Sequence, residues 1–258
     1  MSNLTDVDTA ASNAATEEGL EGATGNIVQT CPLVALEMGM FFDGTLNNMY
    51  NIQRGRPAGV DPDRESASYD AALSNPALLH QLYRTDSDPN DCGGMLTAYR
   101  SAYIEGIGST AGQEDSSFGY MFGNGDTGVE QRVIDSFGFI WNEITALGGP
   151  DMILKVVFDV FGFSRGAAAA RHFVNCVRAK TARRGSAGRS LPPDLDFEIR
   201  FVGIFDTVAA IGYAANADNG DVNTHLDAGK QVTGGIFHLT AGNEVRDNFR
   251  LNRNTPGG

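Results

Sequence analysis

Apolar runs recur along the chain and are separated by polar segments rich in glycine, proline and asparagine. The four longest are residues 32–42, 96–104, 152–161 and 197–205, and a shorter one covers 236–241. Runs of this length, flanked by turn residues and rich in β-branched or aromatic side chains, are typical of strands buried on both faces of a parallel sheet. The pattern therefore predicts an α/β fold with a mostly parallel sheet.

Helical periodicity appears between these runs. Residues 129–147 carry an apolar stripe at helical spacing, the alanine-rich stretch from about 167 to 179 has strong helix propensity, and a short helix begins at Asn75. Alternation of strands with helices predicts helices on both faces of the sheet. The polar stretch 50–74 is predicted to be a long surface loop.

The run 152–161 leads directly into Gly162-Phe163-Ser164-Arg165-Gly166, and a helix follows. Strand, sharp turn and helix are the context of a nucleophile elbow, here at 162–166, which lifts a serine hydroxyl above the sheet. Glycines at both flanks let such a turn close and let the helix pack against neighbouring strands. Ser164 is therefore the candidate nucleophile. The alternative is an ordinary glycine-rich turn in which Ser164 caps the helix.

A carboxylate follows another predicted strand, because residues 197–205 run into Asp206. Parallel strands end at one edge of a sheet, so Asp206 is expected to share the edge on which Ser164 stands. A serine followed along the chain by an aspartate also matches the order of the α/β-hydrolase triad. Asp206 is thus the candidate catalytic acid, and the alternative is that it caps the next turn.

Two backbone regions are candidates for an oxyanion hole. The amide of Arg165 lies at the start of the predicted helix, and the amides near Gly44 follow the first strand. Asp43 and Thr45 flank that glycine and are candidates for orienting the loop or contacting substrate. The alternative is that both only form a tight turn and a cap.

The remaining glycine-rich segment, 112–128, carries apolar side chains and is predicted to form either a lid or a plug on the core. Its stretch 123–128 lacks the acidic spacing of an EF-hand and the lysine of a P-loop. We therefore expect no metal site and no cofactor.

Charge and composition narrow the class of partner. The net charge of −13 argues against nucleic-acid binding and against electrostatic docking on an anionic membrane. It does not exclude a lipid substrate that is bound through an apolar surface. No stretch is long and apolar enough for a transmembrane span, and the N-terminus lacks a Sec-type signal peptide. Residues 1–30 are expected to be a disordered acidic tail, and 31–258 one catalytic domain.

Five blocks occur in an order that resembles a known family. They are residues 41–48, 103–109, 162–167, 205–208 and 238–249. Together, across roughly 34–254, they resemble the alpha/beta hydrolase family that contains the Tle1-like phospholipase effectors of the bacterial type VI secretion system. The resemblance implies a serine esterase that acts on the acyl esters of glycerophospholipids. It also implies an effector made in the bacterial cytoplasm, a secretion-apparatus carrier and a cognate immunity protein.

The catalytic base is where the chain departs from that resemblance. Relatives carry a histidine after the block that resembles residues 251–253, and this sequence stops at Gly258. We therefore expect either a domain truncated at its C-terminus or a base supplied by His238. A second hypothesis is a catalytically incomplete binding or assembly domain on a hydrolase fold. A phosphoryl-transfer role for Asp43 is disfavoured, because Phe41 occupies the position that such chemistry gives to a first aspartate.

Overall fold

The computed structural model describes residues 33–59, 66–88, 96–116, 128–179, 191–208 and 232–241. All of these lie in one compact unit, Pro32–Gly258. The predicted tail at 1–30 and most of the predicted lid or plug, including nearly all of the glycine-rich stretch 123–128, lie outside the described residues.

In the described residues, five strands form one sheet in which every neighbouring pair is parallel. They are β1 (Val34–Phe42), β2 (Leu96–Ile104), β3 (Ile153–Phe163), β4 (Asp196–Phe205) and β5 (Gly235–Leu239). Their order across the sheet is β2-β1-β3-β4-β5. The predicted α/β class and parallel sheet are confirmed, and the central strand is the one that carries the Gly-x-Ser-x-Gly turn.

Helices cover both faces of this sheet. They are α1 (Met49–Arg54), α2 (Ala67–Asp70), α3 (Asn75–Leu82), α4 (Val129–Ala146) and α5 (Arg165–Arg178). The large core lies between the sheet and the apolar stripes of α4 and α5, whereas a smaller cluster around Phe41 and Tyr103 packs on the opposite face beside α3. The stripe predicted for α4 is therefore core.

The prediction of a surface loop over 50–74 is wrong in part, because α1 and α2 lie there. Some polar residues here, Asn48, Asn51 and Ser68, are nevertheless buried, and they hydrogen-bond to nearby backbone or to one another. The Asn48 side chain caps α1 by accepting from the amides of Tyr50 and Asn51, and the Asn51 amide group donates to the Ser68 hydroxyl over 2.8 Å. Polar composition predicted exposure here, but mutual pairing removes most of the cost of burying these groups once the chain has folded.

Two loops lie at the carboxyl edge of the sheet, beside the candidate nucleophile. We call residues 43–48, after β1, the β1 loop, and residues 105–109, after β2, the β2 loop. The turn at Ser164 and the segment from Asp206 emerge at the same edge, because all five strands run in one direction.

A charged network lies on the sheet face that carries α3. The Arg200 guanidinium donates two hydrogen bonds to the Asp159 carboxylate, over 2.9 and 2.6 Å, and a third to Glu37 over 2.6 Å. The Tyr83 hydroxyl adds a fourth bond, to Asp159 over 2.8 Å. Asp159 is only 8% exposed, so its charge depends on these partners.

Replacing Arg200 by methionine is expected to lower the free energy of unfolding by about 3 kcal/mol, because a buried carboxylate then loses its bidentate partner. Urea denaturation measures the change. Arg56→Met is the matched control, since Arg56 pairs with the exposed Asp70 at the surface and its loss should cost less than about 1 kcal/mol. Equal effects of the two substitutions would contradict the assignment.

Candidate active site

Ser164 stands between β3 and α5 in a strained backbone conformation. Its φ is 55° and its ψ is −124°, a region that residues with a side chain rarely occupy. Although Ser164 takes the N-cap position of α5, its hydroxyl makes no capping hydrogen bond. The strain therefore is not offset by a cap, and the hydroxyl is left for other chemistry.

The two glycines of the turn are required by close backbone packing. A Cβ atom on Gly162 would lie 2.7 Å from Cα of Ala167 and 2.7 Å from the carbonyl oxygen of Gly166. A Cβ atom on Gly166 would lie 2.1 Å from the carbonyl oxygen of Asp43. The helix can thus begin directly against the β1 loop only because neither residue has a side chain.

The backbone of Ser164 is held by the end of the neighbouring strand β4. Its amide donates to the carbonyl of Phe205 over 2.9 Å, and its carbonyl accepts from the amide of Val208 over 3.2 Å. Asp206 lies between these two partners and also has a positive φ, 43°. The candidate nucleophile and the candidate acid are therefore brought to adjacent positions on one edge, as their sequence positions predict.

Asp206 is also tied to the end of β5. Its amide donates to the carbonyl of Leu239 over 2.9 Å, and its Oδ1 atom accepts from the amide of Ala241. The carboxylate therefore orders the turn after β5 with one oxygen, which is close to the capping role considered as the alternative.

Asp43 organises the β1 loop from inside the protein. Its Oδ1 atom accepts from the amide of Gly44 over 2.7 Å, and its Oδ2 atom accepts from the Tyr103 hydroxyl over 2.5 Å. That hydroxyl in turn accepts from the amide of Met49 over 2.9 Å. Burial raises the pKa of the Asp43 carboxyl, and hydrogen bonds from Ser74, Tyr103 and Gly44 oppose the rise.

The predicted role of Gly44 in an oxyanion hole needs a correction, because its amide already donates to the Asp43 carboxylate. The amide of the next residue, Thr45, donates to no acceptor in any hydrogen bond found among the described residues. The Thr45 hydroxyl accepts from Nε of Arg165 over 2.7 Å, which ties this loop to the first residue of α5. Thr45 and Arg165 thus bring the β1 loop and the helix N-terminus together beside Ser164.

His238 lies within β5, and each of its ring nitrogens faces a hydrogen-bond donor. Nε2 is 3.4 Å from the amide of Thr207, and Nδ1 is 3.4 Å from the guanidinium of the fully buried Arg171. A neutral imidazole has one acceptor nitrogen and one N–H group, so it can satisfy only one of these donors. To accept a proton from Ser164, the ring would have to give up one contact.

The pKa of His238 is lowered by burial and by the Arg171 charge, and Asp206 opposes the shift only in part. A group whose pKa is lower in the folded state binds fewer protons there, so its contribution to stability is lost as the pH falls through the unfolded value near 6.5. We expect NMR to show the His238 ring titrating below its ordinary pKa. Between pH 7.5 and 5, the free energy of unfolding of His238→Gln should fall less than that of the wild-type protein. A ring that titrates above 6.5 would contradict this environment.

Comparison with solved structures identifies the fold and its family. The chain is similar to the Tle1 effector, whose structure was determined bound to the VgrG spike from the type 6 secretion system, with a TM-score of 0.58 and 30% identity. The alignment covers 86% of this chain and 48% of the effector. The chain belongs to the Tle1-like alpha/beta hydrolase family.

A second similar structure is an uncharacterized protein from Pseudomonas aeruginosa, with a TM-score of 0.54 and 21% identity, over 88% of this chain and 38% of that one. This likeness supports the Tle1-like fold alone. The chain spans about half the length of the Tle1 effector it matches. No protein-family model matches the sequence, and no curated protein does. In the described part of the chain, no helix has the length and hydropathy to cross a bilayer.

Sequence reasoning missed the contact of the Tyr103 hydroxyl with Asp43. Tyr103 pairs with Phe41 across the β1–β2 register, so a tyrosine near the end of an edge strand was the available signal. Which of the amides near Gly44 is left without an acceptor had no such signal, since it depends on the amide that the Asp43 carboxylate binds.

Proposed function

We propose that this protein is a serine esterase of the phospholipase type. The observation that carries the proposal is the backbone of Ser164, which is strained, uncapped and seated at the N-terminus of α5. Strain of this kind at a partly buried turn is characteristic of a site whose geometry serves a reaction. Membership of the Tle1-like family gives the chemistry its class.

In the proposed reaction, Oγ of Ser164 attacks the carbonyl carbon of an acyl ester while a base takes the hydroxyl proton. The resulting oxyanion accepts hydrogen bonds from the amides of Arg165 and Thr45. Collapse of the intermediate breaks the ester C–O bond, the base returns the proton to the leaving alcohol, and water then releases the acid in a second cycle. Asp206 is proposed to orient the base.

We propose His238 as the base to be tested first, because it is held near Thr207, which follows the proposed acid. The assignment carries a structural requirement: the contact with Thr207 or the one with Arg171 must open. Asp43 is proposed to support the reaction indirectly, by shaping the β1 loop.

The proposed substrates are the acyl esters of glycerophospholipids. The Tle1 relative was solved bound to a VgrG spike, and we propose a similar secretion-apparatus carrier here, with synthesis in the bacterial cytoplasm, delivery by a type VI system and a cognate immunity protein. A phospholipid surface would be reached through apolar contacts, since the net charge of −13 opposes electrostatic docking on anionic lipid.

One observation favours a second candidate, a binding or assembly domain that has kept a hydrolase fold. Both ring nitrogens of His238 face donors, and without a base Ser164 would be a weak nucleophile.

Reaction with a fluorophosphonate probe separates the two candidates. The protein expressed from its full reading frame is treated with the probe, and the modified peptide is located by mass spectrometry. Labelling of Ser164, together with release of fatty acid from phospholipid vesicles, supports the esterase. A folded protein that is not labelled supports the binding domain.

A further inference from the structure

The β1 loop does not hold its shape alone, because it is fastened along its length to the β2 loop. The amide of Asp43 donates to the carbonyl of Ile104 over 3.0 Å, and the amide of Leu46 donates to the carbonyl of Ile107 over 3.0 Å. In the reverse direction, the amide of Gly106 donates to the carbonyl of Asn47 over 2.9 Å. The position of the Thr45 amide therefore depends on where the β2 loop lies.

The two loops are also in direct steric contact. A Cβ atom on Gly106 would lie 1.9 Å from the carbonyl oxygen of Gly44. Interiors this closely packed transmit small displacements, because there is no space in which a shift can be absorbed. A movement of the β2 loop would therefore move the backbone on the N-terminal side of Thr45.

The β2 loop is in turn held by one side chain from α4, Arg132. The Arg132 guanidinium donates to the carbonyl of Gly106 over 3.2 Å and to the carbonyl of Ser109, the two residues whose backbones already form a turn. Asp135 pairs with the same guanidinium over 3.5 Å. Arg132, which lies on α4, thus links the two residues at the ends of the turn in the β2 loop.

Burial of Arg132 is difficult to explain by stability alone. The residue is 8% exposed, and its Nε atom is buried with no hydrogen-bond partner among the residues that the structure describes. Burial lowers the pKa of its guanidinium, and the neighbouring carboxylates of Glu105 and Asp135 only oppose that effect. An unpaired buried N–H group costs about 1–3 kcal/mol, which is a cost that a methionine at this position would avoid.

We infer that Arg132 is a positioning residue for the ester-cleaving site: it sets the Thr45 amide in the oxyanion hole by clamping the β2 loop against the β1 loop. This inference rests on the proposed esterase function. Arg132 touches neither Ser164 nor Asp206 in any hydrogen bond found among the described residues. Arg132 acts on the reaction through the backbone of the β2 loop and, from there, through the backbone of the β1 loop.

Steady-state hydrolysis of a soluble short-chain ester by Arg132→Ala tests the inference. A displaced oxyanion donor weakens binding of the transition state more than binding of the substrate, so kcat should fall by about 30- to 100-fold while KM stays within about threefold. Rates are expressed per reactive site, counted by fluorophosphonate titration, so that loss of folded protein does not imitate loss of kcat.

Arg100→Ala is the matched control. Arg100 lies in β2 and also ties that strand to α4, by donating to Glu143 over 3.0 Å, but none of its hydrogen bonds found in the described part of the chain goes to the β2 loop. Both substitutions should lower the melting temperature, and only Arg132→Ala should lower kcat per site.

Chemical rescue provides a readout that a purely structural role would not move. Arg132 lines an open cavity of about 430 Å³ together with Tyr50, Glu105 and Phe139, so methylguanidinium can reach the vacated position. Millimolar methylguanidinium should raise the kcat of Arg132→Ala by at least about tenfold and leave the kcat of Arg100→Ala unchanged. If Arg132→Ala does not fold, Arg132→Lys, which keeps the charge but lacks the planar guanidinium whose Nη2 atom serves both carbonyls, should show the same kcat loss.

The outcomes separate the inference from the function on which it rests. If the wild-type protein is labelled at Ser164 and the Arg132 variants keep their kcat per site, the inference is overturned and the esterase stands. If the wild-type protein is not labelled, the proposed function fails, and the inference fails with it.

Discussion

Replacement of Ser164 by alanine should lower ester hydrolysis by roughly 10³- to 10⁶-fold and leave the fold intact. The size of the loss follows from removal of the proposed nucleophile, after which only the proposed oxyanion hole and substrate binding would contribute to the rate. The fold should be retained because the Ser164 hydroxyl does not cap α5. Activity is measured on phospholipid vesicles and on a soluble ester, and the fold by thermal unfolding.

Ser164→Gly distinguishes the chemical effect of the hydroxyl from the strain of the backbone. Activity should be lost as fully as in Ser164→Ala. The free energy of unfolding, however, should exceed that of the alanine variant by about 1 kcal/mol, because glycine adopts a φ of 55° at little cost. If either variant keeps near wild-type activity, Ser164 is not the nucleophile.

Gly166→Ala should destabilise the protein by about 3 kcal/mol or more and reduce activity in whatever fraction folds. The added Cβ atom would lie 2.1 Å from the carbonyl oxygen of Asp43 and 2.6 Å from that of Phe42. Both contacts are with backbone, so neither can be relieved by a change of rotamer. Relief requires α5 to move away from the β1 loop, and the Arg165 and Thr45 amides would then separate.

The matched control is Gly138→Ala in α4. A Cβ atom on Gly138 meets nothing within 4 Å, so the same substitution should stabilise the protein by about 0.5–1 kcal/mol through helix propensity. Urea denaturation of both variants gives the comparison. A Gly166→Ala variant as stable as the wild type would mean that the turn is not packed as described.

The apolar runs along the sequence were enough to predict the strands of the sheet. The four longest apolar runs each contain all or most of a strand, and β2 has the predicted bounds Leu96–Ile104. A strand buried on both faces has a continuous run of apolar residues. Such a run can be recognised without knowing which strands lie beside it. The stretch 50–74 was misjudged because Asn51 and Ser68 are buried by pairing with each other, and pairing across 17 residues leaves no periodic pattern.

The geometry of the candidate site was predictable where one local segment builds it. Gly162, Ser164 and Gly166 lie within five residues, so their spacing alone indicates a sharp strand-to-helix turn. Arg132 also left a signal, since it stands three residues after Val129 on the stripe that α4 buries. A charged residue at a buried position indicates that it has a specific partner, but the spacing of residues does not identify that partner.

Residue order alone was sufficient for the succession of strands and helices, the turn at Ser164 and the placement of Asp206 after a strand, because each depends on residues that are neighbours in the chain. Packing of distant segments was needed to establish that Gly44 gives its amide to Asp43, that Thr45 meets Arg165, and that both nitrogens of His238 face donors. Most of those contacts join residues tens of positions apart, and even the local one depends on a carboxylate that Tyr103 orients from another strand. A hydrogen bond depends on distances of a few tenths of an ångström, which packing sets and residue spacing does not.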